Sequence, residues 1–314
     1  MPKATKFVFP ALIAMLLLAA RALFAADEVT VATPVFSPSS GICCSIQTVK
    51  IADTTPNAAI YYTTNGETPS TLSTRYSAPI AVSKTTTIQA IARTSGNATS
   101  AVASATYTFP DLEWVLRRLD GAAANFHSTS ADFEFDSIQT DPIYDKDVQK
   151  GTVFYERKGT AFQMAAHISE INGKPALKVY TYSTGVFRLF EPGVNQVTTY
   201  SKLNKYESYL MLGFGASGKD LQKKWEIKYL GCETLDSVKT AKLELIAKDP
   251  EIRKTLPKVT VWIDPERGVS LKQIFDEGPG QYRVSVYFNI KVNQALPTDA
   301  FTLKTNKQTV QVNR

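Results

Sequence analysis

The side chains best suited to chemistry in this chain are few and scattered. Its two histidines, His127 and His167, have no acidic or cysteine partner close by in sequence. A structural zinc site needs about four ligands with local pairing. No Gly-x-Ser-x-Gly, His-Glu-x-x-His or phosphate-loop pattern occurs. Asp141, Asp145 and Asp147 cluster around Pro142 but lack the ordered ligand series of a calcium loop, and read as a polar hairpin loop. Asp264 and Glu266 sit in Asp264-Pro-Glu-Arg-Gly268, which is ordinary turn chemistry. Cys43, Cys44 and Cys232 form an odd set, so one thiol is left over. Adjacent cysteines are badly placed to bond to each other. A bridge from Cys43 or Cys44 to Cys232 and isolated buried thiols both stay open. We expect no catalytic centre, no metal and no cofactor.

The remaining constellation is apolar. Phe133, Phe135, Phe154, Phe162, Met164, Phe187, Leu189 and Trp225 fall on predicted strands. Tyr206, Tyr209, Leu210 and Phe214 fall on a candidate lid. Burying an acyl chain is favourable by ~0.8 kcal/mol per CH₂, so a groove lined this way can hold lipid without a charged anchor. One sequence does not separate the two faces of a sheet, so each of these residues either lines a cavity or packs in a core.

The elements that must position them follow from periodicity. Leu112, Val115, Leu116, Leu119, Ala123 and Phe126 recur at three- and four-residue steps, one face of a helix over 112–126. Asp111 is placed to cap it and Pro110 to end whatever precedes it. Period-two segments then run from Ala131 to Asn293, with turn signals between them. Asn172-Gly173 predicts a hairpin. A Tyr-rich helix over 202–212, a Gly-rich bend and a short helix over 219–224 interrupt the run. About ten antiparallel strands must curl or close, because a flat sheet of that size is unfavourable. Long helices over a concave face would leave an apolar cavity.

Residues 31–108 predict a separate unit of short β-branched strands, with a turn at Asn65-Gly66, and hence a small β-sandwich. Its pieces Pro34-Val-Phe-Ser-Pro, Ile60-Tyr-Tyr-Thr-Thr-Asn-Gly-Glu-Thr-Pro-Ser, Tyr76-Ser-Ala-Pro-Ile and Thr87-Ile-Gln-Ala-Ile-Ala resemble the immunoglobulin-like domain at the C-terminal end of chitobiases and β-hexosaminidases. That resemblance implies an accessory module, either a spacer or an adhesive domain. Tyr61 and Tyr62 either stack on sugar rings or serve as strand aromatics.

The second half resembles the periplasmic lipoprotein carrier family LolA and its lipoprotein-sorting relatives. The order of motifs carries this: Asn125-Phe126, Gly151-Thr-Val-Phe-Tyr-Glu-Arg-Lys-Gly, Gly185-Val-Phe-Arg-Leu-Phe-Glu-Pro-Gly-Val-Asn-Gln-Val, Leu210-Met-Leu-Gly-Phe-Gly, Trp225-Glu-Ile-Lys-Tyr-Leu-Gly and Val261-Trp-Ile-Asp-Pro-Glu-Arg-Gly. The match spans about 112–305. It implies a curled antiparallel half-barrel with lid helices and an apolar cavity for acyl chains. Arg157 stands where the family has a basic residue that bonds to the lid; Lys158-Gly159 follows where a Pro is usual.

Composition agrees with a folded, exported chain. Of 314 residues 44% are hydrophobic and 20% charged, which excludes a disordered chain. Residues 1–26 read as a secretory signal cleaved near Ala25: Lys3 and Lys6, an apolar run from Phe7 to Ala20, then small residues. Removing it takes away Lys3, Lys6 and Arg21 and leaves 32 cations against 29 acids, too small a surplus to argue for nucleic acid. The expectation is a mainly β periplasmic protein in three parts: signal 1–26, sandwich 31–108 and lipid-binding domain 111–305, with 306–314 as a tail. It would bind lipid or lipoprotein acyl chains, with an inner- or outer-membrane protein as a further partner. The alternative is a glycan- or cell-wall-binding protein acting through the sandwich, with the second domain as scaffold.

Overall fold

The computed structural model describes residues 30–159, 161–203 and 207–314. The expected signal at 1–26, and Tyr206 of the candidate lid, lie outside the described residues. The chain divides into two compact units. One contains the residues up to Gly41 and Ile46–Thr108; the other contains Ile42–Ser45 and Phe109–Arg314.

The first unit is built from β1 (Val35–Ser37), β2 (Gly41–Ile42), β3 (Gln47–Ala52), β4 (Ala59–Thr63), β5 (Thr74–Arg75), β6 (Ile80–Val82), β7 (Thr86–Arg93) and β8 (Ala103–Thr108). They form a three-stranded sheet, β1-β3-β6, and a five-stranded one, β2-β8-β7-β4-β5. Strict alternation along β8 buries Ala103, Ala105 and Tyr107 and exposes Ser104 and Thr106. This is the period of a half-buried strand. Val49, Ile51 and Val82 of the smaller sheet and Ile88, Ala90 and Ala92 of the larger complete the buried set, the core of a β-sandwich. Tyr107 is fully buried and satisfies its hydroxyl by donating to the Pro38 carbonyl at 2.7 Å. Asn65-Gly66 does turn the chain, but not as a two-residue hairpin. Only Gly66 has positive φ (+79°), and Asn65 Oδ1 accepts from Glu67 N at 3.1 Å. The pair therefore forms a side-chain-supported turn inside the longer β4–β5 connection.

The second unit opens with α1 (Leu112–Ala124). Asp111 accepts from Trp114 N at 2.7 Å, and Val115, Leu116, Leu119 and Ala123 form the buried face. The strands β9 (Ser128–Gln139), β10 (Asp145–Lys158), β11 (Ala161–Ile171), β12 (Lys174–Ser183), β13 (Val186–Glu191) and β14 (Gln196–Tyr200) follow. Next come α2 (Glu207–Leu210), α3 (Gly218–Lys224), β15 (Trp225–Leu235), β16 (Val238–Ala247), α4 (Pro250–Thr255), β17 (Lys258–Asp264), β18 (Val269–Gly278), β19 (Gln281–Val292) and β20 (Val310–Asn313). Asn172 and Gly173 join β11 to β12 with φ of +50° and +75°, the pair of positive angles a tight hairpin turn needs.

These twelve strands make one sheet, ordered β15-β16-β17-β18-β19-β9-β10-β11-β12-β13-β14-β20. The hairpin runs β10–β14 and β15–β19 spread to either side of β9, which pairs with both β10 and β19. Residues 310–313, read from sequence as tail, instead add a parallel edge strand to β14. The sheet carries two more strands than the ten expected.

Helices cover one face. Val115 and Leu119 of α1, Leu221 of α3 and Ile252 of α4 bury against Leu243, Leu245, Val259, Val261 and Ile263. The segment after β19 covers part of the other face. There Ala300 and Leu296 pack on Phe154 and Ala165, and Leu303 on Val179, Phe190 and Val197. The predicted helix over 202–212 is confined to Glu207–Leu210 among the described residues. α4, which the periodicity did not reveal, is capped by Asp249 and carries Pro250 in its first turn. Cys44 is disulfide-bonded to Cys232 of β15, and Cys43 is a buried cysteine outside that bridge, whose thiol pKa burial pushes up.

Candidate functional site

Seven adjacent strands, β18-β19-β9-β10-β11-β12-β13, contribute side chains to one cavity of about 550 Å³. Laid flat they would span roughly 29 Å at ~4.8 Å per step. Their convergence on one cavity is what the curling of the sheet achieves. Strand alternation selects the lining: Phe133 and Phe135 of β9, Val153 and Tyr155 of β10, Met164, Ala166 and Ile168 of β11, Tyr180 of β12 and Phe187 of β13. The opposite wall comes from Tyr209 and Leu210 of α2 and from Ile252, Thr255 and Leu256 in and after α4.

Of the twelve residues singled out by sequence, eleven are among the described residues, and six of these line the cavity: Phe133, Phe135, Met164, Phe187, Tyr209 and Leu210. The other five do not. Phe154 points to the opposite face from Val153 and Tyr155 and packs on Ala165 and Ala300, beneath the C-terminal segment. Phe162 and Phe214 are buried behind Tyr155, with ring centroids 5.9 and 4.3 Å from it. Trp225 lies in the helix-covered core, with Tyr209 edge-on at 4.8 Å. Leu189 is half-buried on β13, paired in register with Tyr180 and Thr198. Sequence reasoning missed Tyr155, Ile168, Tyr180, Phe275, Arg283 and Tyr287. The signal for Tyr155 was available in the alternation: it shares a face with Val153, and Phe154 between them points the other way.

The cover is stitched down by polar contacts. Arg157 Nη2 donates to Gly215 O at 2.6 Å and Nη1 to Ala123 O at 3.2 Å, while its guanidinium lies 5.5 Å from the Phe126 ring centre. Gln273 Nε2 donates to Leu212 O at 2.6 Å, and Ser270 N to Gly213 O at 2.7 Å. Tyr182 Oη donates to Glu207 Oε2 at 2.7 Å. Gly215 sits at φ +76°, and a Cβ there would run into the Phe126 ring. This position combines the left-handed backbone with a close approach, both of which require glycine.

Several phenols here titrate late, Tyr155 and Tyr180 among them because burial pushes both up. Burial pushes Tyr287 up to about 12, against a usual 10.0. Burial first, and the bond to Glu207 second, push Tyr182 to about 12. The unfolded chain gives up these protons near pH 10, whereas the folded unit holds them to about 12. The associated stability is thus fully present below pH 10 and is lost as pH rises from 10 to 12. The thermal midpoint of the wild-type chain should fall steeply over that window. In Tyr287→Phe it should fall less; an identical decline in that variant would remove Tyr287 as a contributor.

Among the described residues no group of three or more His, Cys, Asp or Glu is arranged to hold a metal, and no helix is long and apolar enough to cross a membrane. Tyr62 of the sandwich packs edge-on against Tyr76 at 6.2 Å, and Tyr61 is half-buried.

Comparison with curated proteins finds no match. Among solved structures the chain is similar to a LolA superfamily protein of Nitrosomonas europaea, at 17% identity over 62% of this chain and 98% of that one, with a TM-score of 0.32. It is similar to LprF of Mycobacterium bovis, at 13% identity over 61% of this chain and 99% of that one, with a TM-score of 0.35. It is also similar to the Pseudomonas aeruginosa MucA/MucB complex, at 12% identity over 62% of this chain and 61% of that one, with a TM-score of 0.38. In the first unit, residues 38–104 match the family model of the chitobiase/beta-hexosaminidase C-terminal domain, as the motifs there led us to expect.

Proposed function

We propose that the second unit binds the acyl chain of a lipid or lipidated protein, non-covalently, as part of an exported periplasmic protein. The observation that carries this is the cavity. Its 550 Å³ lies within the roughly 300–1,000 Å³ of small-molecule sites. Aromatic and aliphatic side chains form most of its wall, with a few polar groups among them. Each methylene transferred from water into such a wall contributes ~0.8 kcal/mol, so a chain of moderate length binds without covalent chemistry. The sandwich serves as an accessory module in this reading. The apolar run from Phe7 to Ala20 and the small residues after it support export.

The test is direct. The chain from residue 27 onward, purified under non-denaturing conditions, should release acyl lipid on solvent extraction and mass spectrometry. After delipidation it should take up an uncharged fluorescent naphthylamine probe. A folded protein with neither bound lipid nor probe uptake would sink the proposal.

A further inference from the structure

Within that cavity, and resting on the lipid-binding reading of it, one residue departs from the rest of the wall. Arg283 of β19 is the one charged side chain among the described lining residues. It stands in register with Phe275 of β18, and its guanidinium lies between two rings, 5.7 Å from the centre of Phe275 and 5.8 Å from that of Phe135. One edge forms an ion pair from Nη2 to Glu277. The side chain nevertheless keeps 38% of its surface exposed, and Nε meets no acceptor among the described residues. A guanidinium carries five N–H donors, so one carboxylate leaves most of its capacity unused. Gln149 and Ser285 add polar groups to the same lining, and Ser285 is the next residue along β19 on Arg283's face. Phe187 and Met164 lie on strands at the far side of β10 and carry no charge.

We propose that this cavity selects an amphiphile with an anionic oxygen head, with the head on Arg283 and the acyl tail directed toward Met164 and Phe187. Two neighbouring rings and the ion pair to Glu277 hold the guanidinium in place, and its planar fork recognises carboxylate and phosphate oxygens alike. An uncharged wall elsewhere leaves one orientation in which both ends of the ligand are satisfied. Glu277 holds the fork and partly offsets its charge, so it tunes the head-group affinity.

The experiment uses the delipidated mature chain and measures displacement of the uncharged naphthylamine probe. Competitors are palmitate for the carboxylate, a palmitoyl lysophosphatidic acid for the phosphate, and hexadecanol as the neutral control. Wild type should prefer at least one anionic competitor over hexadecanol by about tenfold or more, the scale of one charge-assisted contact. Which of the two wins identifies the head group. Arg283→Met should abolish that preference, and Arg283→Lys should keep part of it. Glu277→Gln, which leaves the arginine in place, should strengthen anion binding. Equal affinity of wild type for all three competitors overturns the inference and leaves the lipid-binding reading standing. So does a preference that survives in Arg283→Met, or anion binding weakened by Glu277→Gln. Wild type that takes up no probe or competitor overturns both.

Discussion

Phe187→Glu should leave the second unit folded and cut acyl-probe affinity at least about tenfold, equivalent to ~1.4 kcal/mol. Phe187 lies on β13, near the end of the run of strands that lines the cavity, with Tyr180 at 5.7 Å and Tyr200 at 6.3 Å between ring centres. It is half-buried, so a carboxylate there can reach water and the fold survives the change. The same carboxylate would place a charge on the wall against which the acyl tail packs. A bound chain would then either desolvate that charge or give up contact with the strand, and both outcomes weaken binding. Phe187→Leu is the paired control: it keeps an apolar surface and should change affinity by less than about threefold. Titration of the naphthylamine probe, with circular dichroism to establish folding, reads both. Unchanged affinity in a folded Phe187→Glu protein would take Phe187 off the binding surface.

The parts of this fold that could be read from sequence are those fixed by local chemistry. α1 announced itself through Asp111 and the spacing of Val115, Leu116, Leu119 and Ala123, and the β11–β12 hairpin through Asn172-Gly173. α4 was legible in principle, since Asp249-Pro250-Glu251 combines a cap, a first-turn proline and an acid at the helix start. It is only six residues long, too short to show a period. β20 was not legible, because a short parallel edge strand depends wholly on a non-local partner, here β14. The cavity was half legible. Alternation told which residues share a face but not which face is covered by helices and which by the C-terminal segment. Phe154 and Phe133 look alike in sequence; the packing of Ala300 on one and the cavity beside the other separate them. Arg283 gave no sequence signal, since a single cation on a strand ordinarily faces water.

Arg157→Met should lower the stability of the second unit by about 3 kcal/mol and loosen the cover over the cavity. Three contributions meet at this side chain. Its Nη1 donates to Ala123 O in the last turn of α1, where a cation is favoured by the helix dipole. Its Nη2 donates to Gly215 O in the chain that leads from α2 to α3, and the guanidinium lies beside the Phe126 ring. Hydrogen bonds from a charged donor contribute ~1.5–3 kcal/mol each, and the partly exposed position argues for the lower end. Methionine keeps the length of the stem and so isolates the loss of the two bonds. For a unit of this size the midpoint should drop by roughly 6–12 °C. Hydrogen exchange should separate this from general weakening. Amides tied to the cover, Phe214 N bonded to Met211 O and Ser270 N bonded to Gly213 O, should lose protection first. Those of β4 and β7 in the sandwich should be unchanged. Arg157→Lys, which can reach one carbonyl at a time, should recover part of the loss. If exchange at residues 207–218 in Arg157→Met matches wild type, the arginine does not hold the cover, and Gln273, Ser270 and Tyr182 carry that role without it.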